Sequence, residues 1–538
     1  MNPWQGHPVP PMRREALYGD RVVRCFDPRP RSFHALFAAS AARHPEREAV
    51  VFEGRRWSYA ETARRVAEIA SGLAARGVGA GDRIGLFIDN RPEFVFVLLA
   101  LQHLGAIAVP VGVREQRPGL TYMLAQCGAV GIVFDAALAE RVPDASELPS
   151  LRLHVVVGEA VSAAEGAVPL DDLYGSGAEP VPPAEVQEQD AAVILYTSGT
   201  TGHPKGAVLT HLSIVHSALH YEACMGLVKE DRSALAVPAS HVTGLIATVA
   251  TMLHVGGAIV IMPPFKAASF IETMARERVT HTLMVPAMYQ LCLLVPDFED
   301  RDLTHWRIGA YGGAPMPVET IDAIARRLPG LTLLNAYGAT ETTSPTTMMP
   351  AGETRDHADT VGVALPCADV RVMDDAGREV PTGESGEIWI AGPMVVPRYW
   401  DNPAATSAGF TGGYWHSGDI GSIDAEGFVR VFDRKKDMLN RGGFKVYSVE
   451  VENVLMAWPG VVEAAVVGKP CPVLGERVHA VVYAPGIDAQ GDANDEALKR
   501  HCAERLADYK VPESLTWSAG PLPRNANGKL LKRALRAS

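Results

Sequence analysis

Residues 195–211, LYTSGTTGHPKGAVLTH, contain a segment rich in glycine, serine and threonine that ends in a lysine, Lys205. It follows a short apolar run, AAVILY, and leads into a second strand-like run after Lys205. Glycines in such a loop let successive backbone N–H groups turn inward, which forms a nest for an anion. We therefore predict a loop that holds a polyphosphate. Its predicted contributors are Thr197, Ser198, Gly199, Thr200, Thr201, Gly202 and Lys205.

This loop is not a Walker A motif, because Gly206 and not a serine or threonine follows the lysine. The alternative interpretation is a flexible glycine loop between two strands. Four hydroxyl residues and one lysine among three glycines favour the phosphate site.

Strand-like and helix-like segments alternate on both sides of the loop. AVVFEG, RIGLFI and GAIVIM are short apolar runs, and SYAETARRVAEIASGLAARG has the period of a capped amphipathic helix. This alternation predicts an α/β fold with largely parallel sheets. From Gly383 onward the pattern becomes β-rich. We expect a large N-terminal region, 1–433, and a small α+β domain, 434–538.

Composition excludes several classes of protein. The 538 residues carry 50 Lys and Arg against 62 Asp and Glu, a formal charge of −12, which disfavours nucleic-acid binding. Seven scattered cysteines without a CxxC pair predict reduced thiols in the cytoplasm. The N-terminus has no apolar signal segment, so we expect a cytoplasmic protein, with peripheral membrane association left open.

Two further patterns are interpreted structurally. The apolar stretch 245–262 contains His254 and two glycines, so we expect a buried helix, a glycine break and a strand, not a transmembrane span. His216 and His220 have the spacing of a zinc pair but no partner motif. We predict that they lie on the surface of a helix.

Further motifs follow the phosphate loop in order: YGGAP at 311–315, NAYGATETT at 335–343, YWHSGDIG at 414–421, VFDRKKD at 431–437 and NGKLLKRAL at 527–535. Together they resemble the ANL superfamily of adenylating enzymes. This superfamily comprises acyl-CoA synthetases, adenylation domains of nonribosomal peptide synthetases and beetle luciferases. The resemblance covers about residues 33–534 and implies the ANL fold.

The resemblance implies a nucleotide site that the residues themselves suit. Tyr337 would pack on adenine, Thr340 would contact the α-phosphate, and Glu341 would hold Mg²⁺, for which a carboxylate oxygen is a suitable ligand. Asp419 and Arg434 would bind the ribose. The other nucleotide-site positions of these motifs are Gly312, Gly313, Ala314, Asn335 and Gly338.

The C-terminal motifs imply mobility and a second substrate. Lys529 would stabilise the charge that develops during adenylation, Lys436 would be the hinge, and Gly443 would line the tunnel for the thiol arm of coenzyme A. His241, in VPASHVTG, aligns with the mouth of the acyl pocket. The residues implied in catalysis are Lys529, Thr197, Lys205, Glu341 and His241.

The implied activity is an ATP-dependent acid–thiol ligase that uses ATP, Mg²⁺ and coenzyme A. VPASHVTG contains no aspartate, which disfavours an amino acid as the substrate. We predict a hydrophobic acid, first a medium- or long-chain fatty acid and next an aromatic acid. The alternatives are a ligase that loads a carrier protein, a luciferase-like oxygenase and a nucleotide-binding regulator without turnover. Arg398, in GPMVVPRYW, replaces a glycine that relatives often have, so the local turn must differ.

Overall fold

The structure is a computed structural model. It describes residues 4, 9–144, 146–159, 166–174, 177–197, 203–442, 444–487, 492–524 and 530–536.

A seven-stranded sheet forms around short, fully buried runs such as Gly131–Asp135. Its strands pair in parallel except at one edge, where the two strands that flank the phosphate loop form an antiparallel pair. In sheet order they are Lys205–Thr210, Ala191–Thr197, Ile107–Pro110, Arg83–Phe87, Gly131–Asp135, Leu153–Val157 and Val168–Pro169.

A nine-stranded sheet has the same construction, with a parallel centre and antiparallel strands at both ends. Its order is Val363–Ala364, Thr347–Met348, Thr332–Tyr337, Ile308–Tyr311, His281–Met284, Arg232–Leu235, Ala258–Ile261, Glu48–Phe52 and Arg55–Ser58.

Helices connect the strands of these two sheets. The α-helices are Phe33–Arg43, Tyr59–Ala74, Pro92–His103, Arg117–Gln126, His211–Met225, Thr251–Val255, Ala267–Arg276, Pro286–Leu293 and Val318–Arg327. Short 3₁₀ turns lie at Ala136–Arg141, Leu170–Leu173, Phe298–Asp300 and Thr340–Thr342.

The expected helix caps and breaks are present. Tyr59–Ala74 begins with a capping box, in which the hydroxyl of Ser58 accepts from the backbone N–H of Glu61 and the Glu61 carboxylate accepts from that of Ser58. The stretch 245–262 forms a buried π-helix, Thr243–Ala250, then a short α-helix, a left-handed Gly256 and a strand, as predicted. No helix among the described residues has the length and apolar character needed to cross a membrane.

The interpretation of His216 and His220 as helix-surface residues is wrong. Helix His211–Met225 is buried on almost every side, and both imidazoles are fully buried. The Nε2 of His216 accepts a hydrogen bond from the backbone N–H of Phe26 at 3.1 Å. Phe26 is the last residue of the N-terminal hairpin formed by Met12–Leu17 and Arg21–Phe26. This hairpin packs on the helix, a contact that the helical period of the sequence does not indicate.

Two five-stranded sheets complete the fold. The first has the order Asp369–Met373, Gly386–Ala391, Tyr414–Ile423, Phe410–Thr411, with Val429–Arg434 beside Tyr414–Ile423 and a helix at Pro403–Gly409. The second has the order Phe444–Val446, Leu439–Arg441, Gly475–Tyr483, Glu463–Cys471, with Ser514–Trp517 parallel to Gly475–Tyr483. Its helices are Ser448–Met456, Asp492–Ala503, Asp508–Lys510 and Lys532–Arg536.

Contacts between Cα atoms divide the chain into two compact units. The first comprises 1–370, 389–416 and 426–429, and the second comprises 371–388, 417–425 and 430–538. Each has its own apolar core, around residues such as Phe134 and Met284 in the first unit and Val466 in the second. The architecture is the α/β fold that the sequence predicted, with largely parallel sheets followed by β-rich and α+β parts.

Candidate functional site

The first part of the candidate site lies at the edge of the seven-stranded sheet in the first unit. The two buried strands Ala191–Thr197 and Lys205–Thr210 pair so that Thr197 is opposite Lys205 at the open end. The hydroxyl oxygen of Thr197 lies 3.5 Å from the backbone carbonyl oxygen of Lys205. Strand pairing thus places the hydroxyl and the lysine at the two ends of the connecting loop. The predicted contributors Ser198, Gly199, Thr200, Thr201 and Gly202 lie outside the described residues.

Glu341 reaches the same place from the nine-stranded sheet. It lies in the short turn Thr340–Thr342 that follows strand Thr332–Tyr337, and its side chain is buried. Its Oε1 accepts hydrogen bonds from the hydroxyl of Tyr399 at 3.0 Å and from the hydroxyl of Thr197 at 3.3 Å. The structure therefore brings Thr197, Lys205 and Glu341 together, although 144 positions separate the threonine from the glutamate.

The turn that carries Glu341 has a strained backbone. Thr343 and Ser344 have φ of 50° and 37°, in the left-handed region that a β-branched residue seldom adopts. The hydroxyl of Ser344 is hydrogen-bonded to that of Tyr221 at 2.7 Å, inside the protein. Such strain costs about 1–3 kcal/mol per residue and is concentrated at functional sites in proteins. The strained turn agrees with a functional role for Glu341.

Tyr399 is the residue of this cluster that sequence analysis did not single out. Its ring lies beneath the lysine, with Nζ of Lys205 5.3 Å from the ring centroid. The backbone of Tyr399 forms an isolated antiparallel bridge with Ala207. The sequence feature that could have identified Tyr399 is the aromatic pair Tyr399–Trp400 in GPMVVPRYW. Arg398 itself is exposed, does not have a positive φ, and lies with its guanidinium 6.0 Å from the Trp400 ring.

The loop after strand Ile308–Tyr311 carries Gly312, Gly313 and Ala314. A Cβ on Gly312 would lie 2.4 Å from the backbone oxygen of Ala336, so only glycine lets the two strand ends approach this closely. Gly313 has a φ of +79°, and both Gly313 and Ala314 are exposed. These small residues leave the backbone at the carboxyl ends of the strands open to a planar ligand.

The neighbouring strand carries the other predicted nucleotide residues. Tyr337 ends strand Thr332–Tyr337 half-buried, and Gly338 and Thr340 follow in the turn. Asn335 is buried in the strand, and its side-chain N–H donates to the backbone carbonyl of Thr360 at 3.2 Å. This amide is therefore already used within the protein.

His241 lies directly before the π-helix Thr243–Ala250. Its backbone N–H donates to the carbonyl of Pro238 at 3.0 Å, and its side chain is half-buried. A Cβ on Gly244 would lie 2.4 Å from that same carbonyl oxygen, so the start of the helix packs directly on the backbone of the VPASHVTG segment. π-Helical turns are rare and often occur at functional sites.

A separate pair of predicted site residues lies within the second unit. Asp419 lies within strand Tyr414–Ile423, and its side chain forms an ion pair with Arg434, with Nε 3.0 Å from Oδ1. Asp419 is buried, whereas about half of the Arg434 side chain is exposed. The backbone N–H of Asp419 donates to the hydroxyl of Ser417 at 3.0 Å. The structure thus pairs the two residues predicted to bind ribose.

Charged contacts also surround the predicted hinge residue. The guanidinium of Arg536 donates to the backbone carbonyl of Lys436 at 2.8 Å and pairs with Asp437 at 3.2 Å. Lys435 pairs with Asp375 at 3.0 Å, and this contact raises the pKa of the Lys435 ammonium. The hinge at Lys436 remains a prediction. Gly443 and Lys529 lie outside the described residues.

Comparison with known proteins gives the family of this chain. Residues 37–400 match the AMP-binding enzyme family, and residues 450–529 match the AMP-binding enzyme C-terminal domain. A feruloyl-CoA synthase of an Amycolatopsis species is 34% identical over 92% of this chain and 96% of its own. A long-chain-fatty-acid–CoA ligase of Mycobacterium tuberculosis is 33% identical over 89% of this chain and 93% of its own.

Solved structures show the same fold. The o-succinylbenzoate coenzyme A synthetase of Bacillus subtilis, in complex with ATP and magnesium ion, has a TM-score of 0.80 and 28% identity. The match covers 93% of this chain and 99% of that one. The chain therefore belongs to the AMP-binding enzyme family, as an enzyme of its AMP-forming acyl-CoA synthetase and ligase group.

Proposed function

We propose that this enzyme activates a hydrophobic carboxylic acid in two steps at one site. First the acid and ATP give an acyl-AMP and pyrophosphate, and then the thiol of coenzyme A displaces AMP to give a thioester. The observation that carries the proposal is the convergence of Thr197, Lys205 and Glu341, which supplies a hydroxyl, a cation and a carboxylate at the mouth of a glycine-rich loop.

In the first step a carboxylate oxygen of the acid attacks the α-phosphorus, and the bond to the β-phosphate oxygen breaks. Negative charge increases on the α-phosphate and on the leaving pyrophosphate. Lys205 and the hydroxyl of Thr197 are proposed to bind these oxygens, and such preorganised groups supply a large part of catalysis. Thr340, one residue before Glu341, is proposed to contact the α-phosphate.

The residues present fit a magnesium ion. Glu341 offers a buried carboxylate whose Oε1 is already hydrogen-bonded, and Mg²⁺ is commonly held by one or two carboxylates together with substrate phosphates and water. A cage of three or more His, Cys, Asp or Glu side chains does not occur in the part of the chain that the structure describes. When bound, the ion would neutralise charge on the phosphates. A relative, the o-succinylbenzoate coenzyme A synthetase of B. subtilis, was solved in complex with ATP and magnesium ion, which supports Mg²⁺ as a component of the proposed reaction.

The second unit is proposed to hold the ribose and to serve both steps. Asp419 can accept hydrogen bonds from two vicinal hydroxyls, and Arg434 beside it can contact ribose or phosphate. Lys529 is proposed to act in adenylation. Rotation about Lys436 would then withdraw Lys529 and bring the face of Gly443 forward for coenzyme A, a hinge mechanism known among enzymes.

The acid is proposed to be hydrophobic. The π-helix Thr243–Ala250 beside His241 is buried and apolar, and the relatives include enzymes named for ferulate and for long-chain fatty acids. We place a medium- or long-chain fatty acid first and an aromatic acid second. The similarity to a feruloyl-CoA synthase, at 34% identity, is the reason for keeping an aromatic acid as the second candidate.

The test of substrate class is pyrophosphate release with saturated fatty acids of increasing length, benzoate, ferulate and short dicarboxylic acids, each with ATP, Mg²⁺ and coenzyme A. The proposal expects the highest kcat/KM with a fatty acid. Faster turnover of ferulate or benzoate would transfer the assignment to aromatic acids. Turnover only with short charged diacids would contradict a hydrophobic substrate.

A further inference from the structure

We propose that Tyr399 is a positioning residue that fixes the carboxylate of Glu341 for the metal and the ammonium of Lys205 for the phosphates. The inference rests on the proposed function, because it takes Glu341 as the metal ligand and Lys205 as a phosphate contact. Tyr399 touches both side chains from one buried position.

The first contact orients the carboxylate. Tyr399 and Thr197 both donate to the same oxygen, Oε1 of Glu341, at 3.0 and 3.3 Å. Two donors on Oε1 restrict the rotation of the carboxylate, and Oε2 is the oxygen proposed to bind the metal. A metal-binding carboxylate in proteins is usually fixed by such hydrogen bonds to its second oxygen.

The second contact acts through the ring. The Lys205 ammonium lies 5.3 Å from the centroid of the Tyr399 ring, within the range of a cation–π interaction. A lysine has a long flexible stem, and a ring beneath its ammonium restricts where that charge lies. Tyr399 therefore links the lysine of the phosphate loop to the carboxylate of the neighbouring sheet.

Backbone hydrogen bonds explain how Tyr399 can contact both Glu341 and Lys205. The backbone N–H of Trp400 donates to the carbonyl of Gly206 at 2.7 Å, and that of Val208 donates to the carbonyl of Arg398 at 3.2 Å. On the other side, the N–H of Val396 donates to the backbone carbonyl of Glu341 at 2.9 Å. The segment 396–400 is thus bonded to both strand–loop elements that carry the site.

The test compares binding of ATP with and without Mg²⁺ by isothermal titration calorimetry, with EDTA in the metal-free arm. Tyr399→Phe keeps the ring and removes the hydroxyl. It should weaken binding of Mg²⁺-ATP about tenfold, the loss typical of removing a partner of a metal ligand, and leave metal-free ATP binding unchanged. Tyr399→Leu removes the ring as well and should also weaken metal-free ATP binding, about threefold.

Tyr59→Phe is the matched control. The hydroxyl of Tyr59 is buried and donates to the carbonyl of Gly257 at 2.8 Å, so its loss has a similar structural cost away from the site. This variant should bind ATP like the wild type in both arms. Wild-type affinity for Mg²⁺-ATP in Tyr399→Phe, or equal losses in both arms, would overturn the inference. If wild-type ATP binding gains nothing from Mg²⁺, the proposed role of Glu341 fails first.

Discussion

Nε of Arg434 lies 3.0 Å from Oδ1 of Asp419, so the two residues proposed to bind ribose form an ion pair with each other. The aspartate is buried and the arginine is half exposed. Arg434 therefore holds the carboxylate in place while its own outer face remains open to a ligand. Because a buried carboxylate without a partner is costly, the ion pair with Arg434 offsets part of the cost of burying Asp419.

Asp419→Asn should raise KM for ATP about tenfold, because an amide can accept from one ribose hydroxyl where a carboxylate accepts from two, and each lost factor of ten corresponds to about 1.4 kcal/mol. The measurement is initial rate against ATP concentration. Asp424→Asn is the matched control, because Asp424 forms a similar ion pair with Arg430 at 3.1 Å in the same unit. Equal KM shifts in both variants would refute the ribose assignment.

Lys529→Ala should slow formation of acyl-AMP by about a hundredfold or more, the effect of losing a group that stabilises transition-state charge. Thioester formation from acyl-AMP supplied from outside should be nearly unchanged. Rapid-quench measurement of each half-reaction separates the two. Lys499→Ala is the control, since Lys499 pairs with Glu496 on a surface helix. Normal adenylation in Lys529→Ala would remove this residue from the first step.

Lys436→Pro should impair the thioester step and spare adenylation, because proline fixes φ and restricts a hinge. Lys436→Ala keeps backbone freedom and should support both half-reactions. The same rapid-quench experiment, started from ATP and acid or from acyl-AMP and coenzyme A, measures each step. An equal loss in both steps would argue against a hinge at this position.

Glu15→Gln tests an electrostatic contribution outside the site. Hydrogen bonds from Arg29, at 2.7 and 2.9 Å, lower the pKa of Glu15 from 4.5 to about 2. A carboxyl group with a lowered pKa in the folded state stabilises the fold above about pH 4.5, and this contribution is lost as the pH falls towards 2. The substitution should therefore lower the free energy of unfolding at pH 7 by about 1–2 kcal/mol, and the thermal midpoint should fall accordingly.

In thermal scans, the difference in unfolding midpoint between Glu15→Gln and the wild type should become smaller as the pH is lowered from 5 to about 3. Glu68→Gln is the control, because Glu68 pairs with an exposed Arg64 at 2.8 Å, and such surface pairs contribute little. A Glu15→Gln difference that stays constant with pH would show that the carboxylate charge is not responsible.

Much of the fold could be predicted because its signals are local. The capping box at Ser58 and Glu61, the buried strand runs and the break at Gly256 each depend on residues close together in the sequence. Burial of His216 could not be predicted in the same way, since the covering hairpin ends at Phe26, 190 positions away.

For the candidate site, too, local motifs could be recognised from the sequence, whereas contacts between distant residues could not. Thr197, Lys205 and Glu341 were identified from motifs, and the structure brings them together. Tyr399 was missed because its importance depends on strand pairing with Ala207 and on contact with Glu341, 58 positions away. Side-chain identity alone did not distinguish it from the many tyrosines that serve only packing.

In the proposed reaction, acyl-AMP is formed first and is then consumed by coenzyme A. A single-turnover reaction tests this order, with enzyme in excess over the preferred acid and with products identified by mass spectrometry before and after coenzyme A is added. We expect enzyme-bound acyl-AMP and pyrophosphate in the absence of coenzyme A, and conversion to acyl-CoA and AMP on its addition. Acyl-AMP that persists unchanged with coenzyme A would contradict the second step and favour a carrier protein as acceptor. A complete absence of pyrophosphate would contradict the first step and favour a regulator without turnover.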